Sequence, residues 1–238
     1  MLKLMNYTVV LTYVSLLSAV LGIVISLNGP GHPYMGVYFL MLSGLCDAFD
    51  GRVARRKPNR TEVEKEFGVQ IDSLSDLVAF GVLPVCIGHA MLRVSLRWLN
   101  KPLWTEGSWF EIAYPILFNL IMCFYVYAAM TRLAYFNVQE ELEKRENPNY
   151  TRKVYTGLPV TAAALIFPTV MLIQYLTPTI DLAPLYIITM LVTGICFISS
   201  KLQIKKVGFK GIMIMVLIGT IELLLFILFN SFLPLPHH

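Results

Sequence analysis

Apolar runs of about twenty residues recur along this chain, spaced about 30 to 40 residues apart and beginning with "YTVVLTYVSLLSAVLGIVISL" at residues 7–27. A run of that length crosses a hydrocarbon core of about 30 Å as an α-helix, the one open-chain structure that satisfies its own backbone hydrogen bonds inside lipid. The strict alternation that a membrane barrel needs is absent. We read seven spans, at about 8–27, 35–55, 68–92, 111–136, 158–176, 184–202 and 210–232, with six to eight as the bounds. The first run is too long for a signal peptide and lacks the small-residue cleavage pattern, so it is kept as a span. The expected fold is therefore an all-α polytopic membrane protein, a bundle of about seven transmembrane helices. Residues 1–236 are expected to form a single integral-membrane domain, and His237 and His238 read as a tag remnant.

Composition agrees: 56 % of the residues are hydrophobic and 14 % charged, against about 25 % charged in a soluble domain. The charge is also one-sided. Lys3, the run from Arg52 to Lys65, the run from Arg132 to Lys153, and Lys201 to Lys210 hold 16 of the 19 Lys and Arg; the connections between them hold Arg93, Arg97 and Lys101. The positive-inside rule makes the first group cytoplasmic. A basic face of this kind suits an anionic lipid surface and calls for no nucleic acid. Cys46, Cys86, Cys123 and Cys196 lie inside the apolar runs without ligand spacing and read as small apolar residues. His32 and His89 have no companions at ligand spacing.

Against this background, "DAFDGRVARRKPNRTEVEKEFGVQIDSLSD" at residues 47–76 carries four aspartates. On a helix Asp47, Asp50, Gly51 and Ala54 share one face, with Arg55 beside it; Gly68, Asp72 and Asp76 share a face of the next helix. A twelve-residue cytoplasmic loop, 56–67, would let the two faces meet. An Asp costs about 2.5–3.5 kcal/mol at the centre of a spanning helix and less toward its ends. Four repelling carboxylates near the boundary need a cation, and oxygen ligands on rigid helices suit a hard divalent one. Ion pairing with Arg52, Arg55, Arg56 and Lys57 alone would leave the glycines on the same faces without a reason.

The pattern D47-x2-D50-G51-x2-A54-R55-x12-G68-x3-D72-x3-D76 resembles the signature of the CDP-alcohol phosphotransferases. The resemblance implies that family's helical fold and an enzyme, usually a homodimer, that uses Mg²⁺ or Mn²⁺, as two ions, to displace CMP from a CDP-linked lipid by an alcohol. It assigns Asp47, Asp50, Asp72 and Asp76 to metal, with Asp76 also the catalytic base. It assigns Asp47, Asp50, Gly51, Ala54, Arg55, Gly68 and Asp72 to CDP. It also implies the bacterial cytoplasmic membrane, with the site on the cytoplasmic side.

Three further stretches bear on the alcohol. "IDSLSDLVAFGVLP" (71–84), "TRLAYFNV" (131–138) and "YTGLPVTAAA" (155–164) resemble, in order, segments of the serine-using members. They imply CDP-diacylglycerol as donor and L-serine as acceptor. Tyr135 stands where those members often have a second basic residue, and Thr161 where they often have proline. In physical terms Arg132 and Asn137 lie at the cytoplasmic end of the fourth span, where an Arg fork suits a carboxylate or phosphate. Arg132, Asn137, Lys153 and Ser73 are the candidates for serine or lipid phosphate. The plainer readings are a snorkelling Arg132, an end-capping Asn137, and Thr156 capping a helix with Pro159 in its first turn. Glu222, alone in the last span, is expected at a helix or dimer contact. A cation transporter would place its carboxylates nearer the midplane on broken helices, and a scaffold would leave the glycines unexplained. The same chemistry with inositol, glycerol 3-phosphate or choline, or with an archaeal ether-lipid donor, stays open.

Overall fold

The apolar runs are helical in the computed structural model, which describes residues 7–29, 32–98, 109–146, 154–176, 181–205 and 209–232. The helices are α1 (Val10–Leu27), α2 (Pro33–Arg55), α3 (Glu62–Asp76), α4 (Leu83–Trp98), α5 (Trp109–Glu146), α6 (Ala163–Leu176), α7 (Ala183–Ile198) and α8 (Phe209–Phe232). A π-helical segment, Leu77–Val82, joins α3 to α4 as one continuous rod, so eight helices make seven rods among the described residues. Among the described residues four stretches are long and apolar enough to cross a membrane: Tyr7–Leu27, Glu62–Val94, Ile116–Glu143 and Lys210–Phe229. α2 carries Asp47, Asp50, Arg52 and Arg55 in its last turns, while α6 and α7 are apolar but shorter. The molecule is an all-α polytopic membrane protein.

Its departures from the sequence reading lie at helix ends. The loop after α2 is 56–61 rather than 56–67, because α3 starts six residues before Gly68. The cause is a capping box: Thr61 Oγ1 accepts from the Glu64 N–H at 3.2 Å, and Glu64 returns a carboxylate oxygen to the Thr61 N–H at 3.1 Å. α5 continues to Glu146, with Glu141 paired to Arg145 one turn on. Asn137 is therefore inside the helix and caps nothing. α7 stops at Ile198, four residues short of the expected end, and the chain returns as a strand. That strand, β2 (Gln203–Lys205), pairs antiparallel with β1 (Val154–Thr156), Thr156 opposite Gln203. Thr156 is thus a strand residue and not a helix cap. Gly157 follows at φ +81°, its N–H donating to Leu202 O at 2.7 Å, and a Cβ there would lie 2.5 Å from Phe197 O. Only glycine fits that turn.

α1 packs along α2 through small residues and hydroxyls, the usual currency of helix association in lipid. Ser15 and Ser43 each donate to the other's carbonyl oxygen, at 3.4 and 3.0 Å, and Ser18 donates to Phe39 O at 2.9 Å. Deeper in, Tyr125, Phe167, Phe197 and Tyr186 form a ring cluster with centroid separations of 4.9–5.7 Å. The outward residues are apolar too: Leu17, Leu117 and Leu224 are each at least 58 % exposed, as a lipid-facing wall requires. Arg93 spans the far end, donating to the carbonyls of Leu27 and Gly29. Glu222 is buried against Thr169 of α6, a helix contact as expected.

Candidate active site

The last turns of α2 and the body of α3 bring the aspartates together as their spacing requires. One carboxylate oxygen from each of Asp47, Asp50 and Asp72 lies within 4.8 Å of the others. Oxygen ligands about 2.0–2.6 Å from a hard divalent cation span such separations, so the donor set fits Mg²⁺ or Mn²⁺. Asp76 is 8 % exposed, one helical turn beyond Asp72 and outside that trio. Asp50 is 7 % exposed and touches Asp72 side chain to side chain. Carboxylates this close and this dry repel one another, and a cation between them removes the conflict.

α1 contributes a residue that the sequence reading missed. Thr12 Oγ1 donates to Asp50 Oδ2 at 3.2 Å, and the Thr12 carbonyl accepts from Ser75 Oγ at 3.1 Å. One residue therefore ties the α2 half of the motif to the α3 half. Its signal was the row Thr8, Thr12, Ser15 at helical spacing, all buried.

A cavity of about 750 Å³ opens beside the cluster. Its polar end takes in Asp47, Asp50, Gly51, Arg55, Asp76 and Arg132. Arg55 folds over Gly51, where a Cβ would lie 3.4 Å from the guanidinium. The other end is apolar, walled by Met41 and Leu45 of α2, Leu165 of α6, and Val216, Gly219 and Leu223 of α8. Ala54, Gly68 and Asp72 stand outside this cavity's wall, and Gly68 packs against Arg60 of the 56–61 loop.

The candidates of α5 separate. Arg132 is buried at 6 % exposure, lines the cavity, donates Nε to Leu158 O at 3.1 Å, and lies 5.6 Å from the Phe136 ring centre. That bond ties it to the TGLP loop, whose Pro159 and Thr161 also line the cavity. Tyr135 points outward, 50 % exposed. Asn137 donates to Ser73 Oγ at 2.7 Å, so these two hold α5 to α3 and neither lines the cavity. Lys153 lies outside the described residues. Glu140 and Glu143 line the cavity without having been singled out from the sequence, where they looked like one solvated charged run.

The π segment begins immediately after Asp76. In an α pattern the Phe80 carbonyl would need the N–H of residue 84, which is proline. Tyr125 OH fills that gap, donating to Phe80 O at 2.8 Å, and Tyr186 OH donates to Pro84 O at 2.9 Å.

A family model described as CDP-alcohol phosphatidyltransferase matches residues 5–198. The chain is 32 % identical over 143 residues to the CDP-diacylglycerol–serine O-phosphatidyltransferase of Saccharomyces cerevisiae, covering 59 % of this chain and 43 % of that one. Its namesake in Mycobacterium leprae is 29 % identical over 134 residues, 56 % of this chain and 36 % of the relative. The archaetidylserine synthase of Methanothermobacter thermautotrophicus is 29 % identical over 148 residues, 62 % and 50 % of the two. The matches thus span half or less of these relatives' own length.

Proposed function

The chain belongs to the CDP-alcohol phosphatidyltransferase family, and from that premise we propose that it transfers the phosphatidyl group of CDP-diacylglycerol to L-serine. The serine hydroxyl oxygen bonds the phosphorus next to diacylglycerol, the bond from that phosphorus to the bridging oxygen of CMP breaks, and CMP leaves. The hydroxyl proton goes to Asp76. The observation that carries this reading is one cavity with Asp47, Asp50 and Asp76 in its polar wall, Asp72 completing the carboxylate trio beside Asp50, and apolar residues lining the remainder. A donor with a charged diphosphate and two acyl chains needs both ends at once.

In this reading Asp47, Asp50 and Asp72 hold Mg²⁺ or Mn²⁺, with Asp76 also reaching a second ion, and the bound metal would offset diphosphate charge and stabilise CMP as it departs. The chain's own groups do the rest. Arg55 adds positive charge beside Gly51, where the backbone lies open to the donor. Asp76, buried at the cavity edge, accepts the proton from a hydroxyl held within reach. Arg132, held by Leu158 O and packed against Phe136, would meet through its guanidinium the serine carboxylate, which inositol and choline lack. The apolar wall keeps water from competing with serine as acceptor. By the positive-inside rule the basic loops favour the cytoplasmic side for the site, and the family resemblance supports a bacterial cytoplasmic membrane and a homodimer as the working unit.

The test is CMP release by the purified protein in detergent with CDP-diacylglycerol and Mn²⁺, offering serine, inositol, glycerol 3-phosphate, choline and ethanolamine separately. Release with serine alone, abolished by EDTA and restored by Mn²⁺, is the expected result. Release with a different alcohol refutes the role given to Arg132. Similarity to an archaetidylserine synthase favours a second donor, so the assay is repeated with a CDP-linked ether lipid.

A further inference from the structure

Arg60 lies outside the eight-residue pattern, in the 56–61 loop, yet its guanidinium packs directly on Gly68 and fills the space where a Cβ would sit. Its hold there is slight. One terminal nitrogen donates to Glu64 O at 3.0 Å, while Nε is buried with no acceptor. The loop beneath it is firmly braced, by the Thr61–Glu64 capping box and by the Lys57–Glu64 ion pair. Asn59 takes φ +56°, a left-handed conformation that asparagine tolerates better than most residues. A rigid loop thus presents a loosely held cation to the glycine one turn before Asp72.

At Gly68 the Arg60 guanidinium occupies the space open beside the backbone, and the family resemblance expects a ligand there. A buried N–H with no acceptor is unfavourable, and a ligand rich in acceptors relieves it. A guanidinium fork meets phosphate oxygens in charge and in geometry. We propose that Arg60 is a further donor-binding residue, whose guanidinium leaves Gly68 when a nucleoside diphosphate enters and bonds its phosphate oxygens. The inference rests on the proposed use of a CDP-linked donor. The same side chain would cover the glycine before the nucleotide enters and line the site afterwards.

CDP titrated with Mn²⁺ into the purified protein, followed by calorimetry, tests this with wild type, Arg60→Ala and Arg60→Lys, each first checked for an unchanged melting temperature. Arg60→Ala is expected to weaken CDP binding about tenfold or more. Arg60→Lys should recover part of the loss, and the serine KM at saturating donor should not move. Should Arg60→Ala not fold, a several-fold loss in Arg60→Lys carries the test, and unchanged affinity there refutes it. Equal affinity in wild type and Arg60→Ala overturns the inference and leaves the reaction assignment standing. Tighter binding by Arg60→Ala overturns it as well, since Arg60 would then only obstruct the site. Failure of wild type to bind CDP removes both the inference and the reading beneath it.

Discussion

Thr12→Val tests whether α1 orients the metal-side carboxylates. Thr12 is 5 % exposed, donates to Asp50 Oδ2 at 3.2 Å and accepts from Ser75 at its carbonyl. Valine keeps the shape and the carbonyl, so the Ser75 bond and the α1–α2 packing persist and the hydroxyl alone is lost. A hydrogen bond to a charged group contributes about 1.5–3 kcal/mol. At 3.2 Å this one lies beyond the usual O–H···O range of about 2.5–3.0 Å, so the lower value, about 1.5 kcal/mol, applies. That corresponds to about tenfold in an equilibrium constant. The assay is CMP release at fixed donor and serine while Mn²⁺ is varied. The half-maximal Mn²⁺ concentration should rise about tenfold, with serine KM and melting temperature nearly unchanged, and Thr12→Ser should restore it. A folded Thr12→Val protein with the wild-type metal requirement refutes the reasoning, as does a Thr12→Ser protein no better than Thr12→Val.

Asp76→Asn should abolish turnover while CDP binding in calorimetry stays within a few-fold of wild type; loss of metal-dependent binding instead would make Asp76 chiefly a ligand. Arg132→Ala should raise serine KM at least tenfold, the cost of about 1.5 kcal/mol or more for a charge-assisted bond, with donor KM little changed. Equal rises in both would remove its role in reading the carboxylate. Tyr125→Phe leaves the Phe80 carbonyl buried without its donor, a loss of about 1–3 kcal/mol. Its melting temperature should fall by several degrees, and an unchanged value would mean that the π segment needs no such support.

The cluster was legible because it depends on helix period alone. Asp50 and Gly51 follow Asp47 by three and four, Gly68, Asp72 and Asp76 succeed one another at intervals of four, and each set lands on one face wherever its helix begins. What needed more was less visible. Thr61-x-x-Glu64 is a capping box in plain sight, and reading it would have moved the start of α3 from 68 to 62. Asn137 looked like a helix end because apolar residues stop there, yet the charged stretch beyond it prolongs α5 and carries the i,i+4 pair of Glu141 with Arg145 that its spacing allows. The pairing of β1 with β2 joins residues about fifty apart over only three positions, too short and too distant to leave a pattern. The serine candidates split for a similar reason. Arg132 and Asn137 are five positions apart on one helix, about 140° around it from one another, so they cannot both face the cavity squarely.

The motif therefore specifies the chemistry more completely than it specifies the site. Its eight residues name the carboxylates and the glycines, but the hydroxyl that fixes Asp50 comes from α1 and the one that supports the rod behind Asp76 comes from α5. The rod has to change character between Asp76 and Phe80, from a carboxylate face toward the cavity to a side chain with no exposure in the core. Widening the helix to a π segment lets one rod do both, because residues after it are rotated relative to an unbroken α-helix. Pro84 then leaves a carbonyl that only a long, buried donor can reach. Two chains that match the signature equally well can thus differ in rate and metal requirement through Thr12 and Tyr125, positions that the signature does not contain.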